Sequence, residues 1–407
     1  MLRRTLGKHL GRIVENFPVV LITGPRQVGK STLLENFKPT KYKVVNLDDF
    51  NQRELANTDP ELFLQRNKPP VIIDEIQYAP NLFSYIKIYV DQHRGEKGLF
   101  LLTGSQKFAL MKGVRESLAG RVAILDLLGL SATEKECRKM DDSFLPTKQA
   151  LEKMEKRNLE LKTASEIYTI IWNGSFPELS LRNGEDRDLY YNSYIQTYIE
   201  RDVRDISNIS DPLTFKNFIR VIAARTGQLL NLADIARDLA IDNKTAKNWL
   251  NILEMSGLIY LLHPYYNNIT KRIIKTPKIY FLDTGLCSYL TGWDTPRSLE
   301  NGAMNGAILE TYVFAEILKS YWHNAKEAPI YFYRDKDMKE VDFLLEANGK
   351  LYPIEVKRTM TPTLEAAKNF AVLEKLKKPV ETAVILSLKA EPCYLSRQVI
   401  TLPVWAI

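Results

Sequence analysis

The sequence predicts an α/β protein: a parallel sheet built around a phosphate loop, then a helical region, a winged helix-turn-helix and a second α/β unit. Three stretches carry that expectation. "VVLITGPRQVGKSTLLENF" runs from a β-branched strand through a glycine turn into a helical pattern. "PPVIIDEIQ" is an apolar run that ends in two carboxylates. "VDFLLEANGKLYPIEVK" reads as two strands around a hairpin turn signal.

The chain has 407 residues, too many for one ordinary core, and its net charge of +7 permits nucleic-acid contact without requiring it. Cys137, Cys287 and Cys393 lie far apart, with neither metal-ligand spacing nor an even count for a disulfide framework. A reducing, cytoplasmic setting is expected. No apolar run approaches the roughly 18 residues of a membrane helix. The stretch after Arg3, Arg4 and Lys8 runs into the glycine turn, which is unlike a signal peptide.

In the first unit, residues 1–135, Val19 to Thr23 is the entering strand. Gly24, Pro25, Arg26, Gln27, Val28, Gly29, Lys30 and Ser31 fit G-x-x-x-x-G-K-[ST]. Glycine lets the backbone curl so that successive N–H groups point inward, and the following helix N-terminus adds positive dipole. Lys30 is expected to reach the β- and γ-phosphates of ATP, and Ser31 to offer its hydroxyl to Mg²⁺. Thr32 is either a second polar contact or a helix-start residue. Leu33, Leu34 and Phe37 continue at helical spacing.

Asp74 and Glu75 end a buried strand, at the edge where parallel sheets bind phosphates. Asp74 is expected to hold Mg²⁺ and Glu75 to polarise the attacking water. In "LFLLTGSQ", Thr103 and Ser105 stand at a polar strand end, suited to orienting that water or touching the γ-phosphate. Arg115 and Arg121 are candidates for an arginine that stabilises transition-state charge, with Arg121 preferred. Asp48 and Asp49 read as a turn.

The order "GPRQVGKST", "VIIDEIQ", "LLTGSQ", "SLAGR" resembles the AAA-type P-loop ATPases of bacteria and archaea. More narrowly, it resembles a prokaryotic family in which such a module carries a C-terminal domain of unknown function with a restriction-endonuclease-like core. "SFPEL", "YIQTYIERDV" and "PKIYFLDTGL" extend the resemblance over nearly the whole chain. It implies a Mg-dependent ATPase.

Residues 136–205 read as a helical region, and the Lys- and Glu-rich stretch near 132–165 reads as a solvated helix or linker that marks the first domain boundary. Tyr191, Tyr194, Ile195, Tyr198 and Ile199 form an apolar stripe in it, read as packing. Residues 206–270 carry the winged-helix pattern: Leu232, Ile235, Ala236 and Leu239, the turn "IDNK", then Ala246, Trp249, Leu250 and Leu253. The second helix would present Asn243, Lys244, Thr245, Lys247 and Asn248 outward, suited to phosphates and base edges. Six basic and four acidic residues between Asn231 and Lys275 make the segment barely basic, so DNA and protein partners both stay open.

In the last unit, residues 271–407, Glu355 and Lys357 are two apart on a strand and face one side, with Asp342 on the preceding strand and Glu310 on an upstream helix. The set matches the D…E-x-K arrangement of restriction-like nucleases. Asp342 and Glu355 would hold Mg²⁺ against a phosphodiester, Glu310 would orient a metal-bound water or add a ligand, and Lys357 would help generate or steady the hydroxide. A surface hairpin with a Glu–Lys pair is the plain alternative. The function expected is ATP hydrolysis coupled to a nuclease-like, DNA-interacting unit. The alternative is a nucleotide-driven protein-interaction switch whose nuclease-like unit is inert. The oligomeric state stays open.

Overall fold

The computed structural model describes residues 2–37, 42–105, 110–111, 113–138, 142–156, 159–182, 184–199 and 211–407. Five strands, β1 Val19–Thr23, β2 Lys43–Asn46, β3 Val71–Asp74, β4 Phe100–Gly104 and β5 Val122–Asp126, form a parallel sheet in the order β2-β3-β4-β1-β5. β1, β3 and β4 are buried at every position, as strands covered on both faces must be. Their C-terminal ends share one edge, and Ile22 pairs with Thr103 there. The Lys30–Phe37 helix starts directly from the loop after β1. Asp49 caps the Phe50–Thr58 helix by accepting from Gln52 N, so this aspartate belongs to the turn, as the sequence suggests.

Residues 132–165 depart from the solvated helix or linker expected of them. Leu151 and Met154, one turn apart on the Lys148–Glu155 helix, are buried with Phe144 in the main core, and Trp405 Nε1 donates to Glu160 O at 3.1 Å. The apolar residues are sparse, but they fall on one face, which is enough to dock a short helix. The tyrosine stripe packs as expected: Tyr191, Tyr194 and Ile195 are buried, with Tyr191 and Tyr194 against Phe176. The side chains of Tyr198 and Ile199 lie outside the described residues.

Helices Leu232–Asp238 and Asn243–Met255 follow, and Asp242 caps the second by accepting from Thr245 N at 2.9 Å. After Gly257 come β6 Ile259–Leu262 and β7 Lys278–Phe281, which pair antiparallel. Asn243, Lys244, Lys247 and Asn248 are exposed, whereas Thr245 is half-buried and spends its hydroxyl on Asp242 at 2.6 Å.

The last unit is a mixed sheet in the order β12-β13-β11-β10-β9-β8: β8 Ile330–Arg334, β9 Glu340–Ala347, β10 Lys350–Lys357, β11 Ala383–Ser387, β12 Cys393–Ser396 and β13 Val399–Pro403. The hairpin signal is correct. Ala347 pairs with Lys350, and Asn348 and Gly349 both take positive φ, the two-residue turn that matches strand twist. The 18-residue Asn305–Trp322 helix runs beside this sheet with most of its length buried. One continuous core extends from Leu6 to Ile407, and a second fills the other face of the parallel sheet. No described helix is long and apolar enough to cross a membrane.

Candidate functional site

The phosphate loop is shaped as its glycines require. Gly24 has φ 147°, and a Cβ there would stand 2.0 Å from Leu127 O, so no side chain fits. Lys30 Nζ donates to Gly24 O at 3.1 Å and to Pro25 O at 2.8 Å, folding its ammonium over the loop. Ser31 Oγ donates to Asp74 Oδ1 at 2.8 Å. β4 lies between β1 and β3, and from it Thr103 donates its hydroxyl to Asp74 while accepting from Glu75 N at 3.1 Å.

Glu75 takes the left-handed conformation, φ 56°, at the strand end. Its Oε2 accepts from Gln77 Nε2 and from Ser105 Oγ, the latter at 3.3 Å. Ser105 thus orients Glu75, and Gln77 joins it. The sequence signal for Gln77 was its place two residues after the acid.

These groups open on a cavity of about 650 Å³, lined by Gln27, Gly29, Lys30, Ser31, Thr32 and Glu75. Thr32 therefore lines the cavity as well as standing in the first turn of its helix. The cavity is also lined by Leu2, Leu130 and Tyr190, with Pro177, Leu181 and Arg182 of the Pro177–Leu181 helix and its C-cap. A wall with this much apolar surface suits the face of a purine base.

"SFPEL" and "FLDTGL" prove to be the two halves of a clasp that holds this roof. Asp283 accepts from Ser175 N at 2.6 Å, Ser175 Oγ at 2.7 Å and Tyr191 OH at 3.0 Å. Their meeting could not be read from spacing, since 108 residues separate Ser175 from Asp283.

Arg121 requires a correction. It precedes Val122, which pairs with Val19, so it stands just before β1 begins, roughly 20 Å along the strand from the loop. Its guanidinium is forked onto Asp91 at 2.8 and 3.0 Å. It does not face the cavity of its own chain. Among the described residues, Arg4 and Arg182 are the arginines that line it, neither singled out by motif.

The acids of the last unit are only partly gathered. Phe343 pairs with Ile354, which sets Asp342 opposite Glu355 on the adjacent strand, and Asp342 Oδ2 accepts from Val356 N at 2.8 Å. Burial, then the charges of Glu310 and Glu355, push the Asp342 carboxyl well above its usual range. Burial likewise raises Glu355, although Lys357 Nζ donates to it at 2.6 Å. Burial opposes the charge on Lys357, but Glu355 outweighs it and holds the ammonium above its usual range. Glu355 Oε2 is buried without a hydrogen-bond partner among the described residues. Glu355 and Lys357 line an open cavity of about 420 Å³.

Glu310 is drawn elsewhere. It accepts from Lys278 Nζ at 3.1 Å and from the Tyr280 hydroxyl, while Lys278 also pairs with Glu340 at 2.6 Å. Burial works against the Lys278 ammonium, but the Glu310 and Glu340 charges outweigh it and raise its pKa. Among the described residues no group of three or more His, Cys, Asp or Glu is placed to hold a metal ion. Asp342 and Glu355 thus stand side by side, while Glu310 is engaged by the buried Lys278 and acts on the pair through its charge.

This is a parallel-sheet P-loop ATPase module joined to a C-terminal mixed-sheet unit. An AAA domain family model matches residues 16–135, and two domains of unknown function, DUF8612 and DUF4143, match residues 164–297 and 305–407. The chain belongs to the family of the uncharacterized protein Rv2008c of Mycobacterium tuberculosis, with which it is 30% identical over 373 residues, 91% of this chain and 77% of the relative. The uncharacterized protein MJ1637 of Methanocaldococcus jannaschii is 24% identical over 347 residues, 76% of this chain and 70% of its own. Among solved structures, the Walker-type ATPase of Pyrococcus abyssi aligns with a TM-score of 0.46 at 17% identity, over 70% of this chain and 94% of that one.

Proposed function

We propose that the protein hydrolyses ATP with Mg²⁺ at the phosphate loop and passes the nucleotide state to its C-terminal unit. The observation that carries this is the Lys30–loop, Ser31–Asp74 and Glu75–Ser105 arrangement at one sheet edge. Lys30 can exchange the carbonyls of Gly24 and Pro25 for phosphate oxygens without leaving the loop. Ser31 and Asp74, already in contact, are the pair that would hold Mg²⁺, which when bound neutralises charge on the β- and γ-phosphates. Glu75, held by Gln77 and Ser105, accepts the proton of the attacking water. Glu75→Gln should retain nucleotide binding and lose turnover; full turnover by that variant would remove Glu75 from the role.

A second reading gives the C-terminal unit its own chemistry on DNA. The buried Glu355 Oε2, without a hydrogen-bond partner among the described residues, beside Asp342 and Lys357 at an open cavity, favours it, since such an oxygen suits a cation that bridges to a phosphodiester. Asp342 and Glu355 would hold the ion, and Lys357 would face the scissile phosphate. Mg-dependent plasmid cleavage that is lost in Asp342→Asn and Lys357→Ala supports this reading. ATP turnover without cleavage selects the inert interaction switch instead.

A further inference from the structure

A chain of buried polar groups leads from the phosphate loop to the C-terminal unit. It begins at Arg4, whose guanidinium is almost fully buried beside the loop. Nη1 donates to Val28 O, within the loop, at 2.7 Å, and Nη2 donates to Leu128 O, just past β5, at 2.6 Å. Arg4 Nε lies 3.2 Å from Glu134 Oε2, with the two side chains 8% and 2% exposed.

Glu134 is buried with several donors. Its Oε1 accepts from Thr5 N at 2.7 Å and its Oε2 from Ser131 N at 3.0 Å. Oε1 also lies 3.4 Å from Nδ1 of His323, a fully buried ring at the C-cap of the Asn305–Trp322 helix. His323 Nε2 faces Leu128 N at 3.4 Å and Arg4 Nη2 at 3.5 Å. The same helix reaches the ATPase module a second time: Glu316 Oε2 accepts from Ala132 N at 2.8 Å, and Lys319 Nζ donates to Leu130 O at 3.1 Å.

Two features make this more than interdomain adhesion. Arg4 grips a loop carbonyl, so the loop cannot change its curl without disturbing Arg4. The helix that receives the chain is also the helix that carries Glu310, about 20 Å away along one rigid rod at 1.5 Å per residue. A buried pair that loses one partner is strongly penalised, so movement at one end cannot be ignored at the other.

We propose that Arg4 is a positioning residue for the phosphate loop and that, through Glu134 and His323, it couples nucleotide occupancy to the helix of the C-terminal unit. The proposal rests on the ATP-binding reading above. The test uses the full chain. For His323→Ala, KM for ATP should rise about fivefold or more, at the lower end of ordinary coupling between sites, with kcat changed less. His323→Gln, which keeps an acceptor for Leu128 N, should recover most of the loss. In the wild-type protein, Mg²⁺ and a non-hydrolysable ATP analogue should slow hydrogen–deuterium exchange in peptides spanning residues 316–325. That measurement decides the matter if His323→Ala does not fold. An unchanged KM in a folded His323→Ala, or unchanged exchange there in wild type saturated with analogue, overturns the proposal. A wild type that binds no analogue overturns the ATP-binding reading, and the coupling with it.

Discussion

Replacing Lys278 by Met tests the electrostatics of the C-terminal unit. The Lys278 ammonium is buried between Glu310 at 3.1 Å and Glu340 at 2.6 Å, with its side chain 4% exposed. Methionine keeps the bulk and removes the charge. Glu310 and nearby Asp342 then lose a counter-cation in a low-dielectric setting, while Glu340 keeps Arg334 at 3.8 Å, and breaking a buried pair in this way costs about 3–5 kcal/mol. The loss should appear as a lower urea midpoint at pH 8. It should shrink at pH 5, because carboxylates without a cation take up protons more readily and shed the uncompensated charge. A double variant, Lys278→Met with Glu310→Gln, should regain part of the loss, since one orphaned acid is gone. The reasoning fails if Lys278→Met unfolds at the wild-type urea concentration at both pH values.

Other outcomes follow from single contacts. Gly24→Ala should abolish nucleotide binding, because its Cβ would collide with Leu127 O at 2.0 Å; retention of wild-type ATP affinity in a calorimetric titration would contradict the loop geometry. Asp283→Asn weakens the clasp on Ser175 and should raise KM for ATP more than it lowers kcat in a steady-state assay, because the cavity roof shifts while Lys30 and Glu75 stay. Acidification should destabilise the folded chain through two groups. Burial lowers the His323 pKa below its ordinary 6.5, so below that pH the unfolded state binds the proton more readily. Burial opposes ionisation of Glu134, but the neighbouring His323, Arg4 and Thr5 N–H outweigh it, and stability from this group falls away below its ordinary value of 4.5. Both effects lower the melting temperature as pH falls, and in His323→Gln the fall between pH 7 and 5 should be shallower.

What the sequence disclosed, and what it did not, follows from the range of the interactions. The phosphate loop, the Asp74 strand end and the Asn348–Gly349 hairpin are local: backbone conformation and side-chain alternation over fewer than about 20 residues specify them. Asp342 could be placed opposite Glu355 because the turn sets the register of the hairpin. Order along the chain does not place Arg121, because the start and the end of a five-residue strand face opposite edges of the sheet. Lys278 left no signal near Glu310; they meet only once β7 and the Asn305–Trp322 helix pack together. The same holds for Arg4 and His323, 319 residues apart in the chain. Residues 132–165 looked solvated because charge dominates their composition, while a single face with Leu151 and Met154 decided where the helix went.

Steady-state phosphate release from purified protein with ATP and Mg²⁺, measured for wild type beside Lys30→Ala, tests the central claim most directly. The account predicts turnover by wild type that requires Mg²⁺ and falls to background in Lys30→Ala, whose loop has lost the ammonium over Gly24 O and Pro25 O. Equal turnover by the two proteins, or none by a wild type that is folded and saturated with Mg²⁺ and ATP, would contradict it.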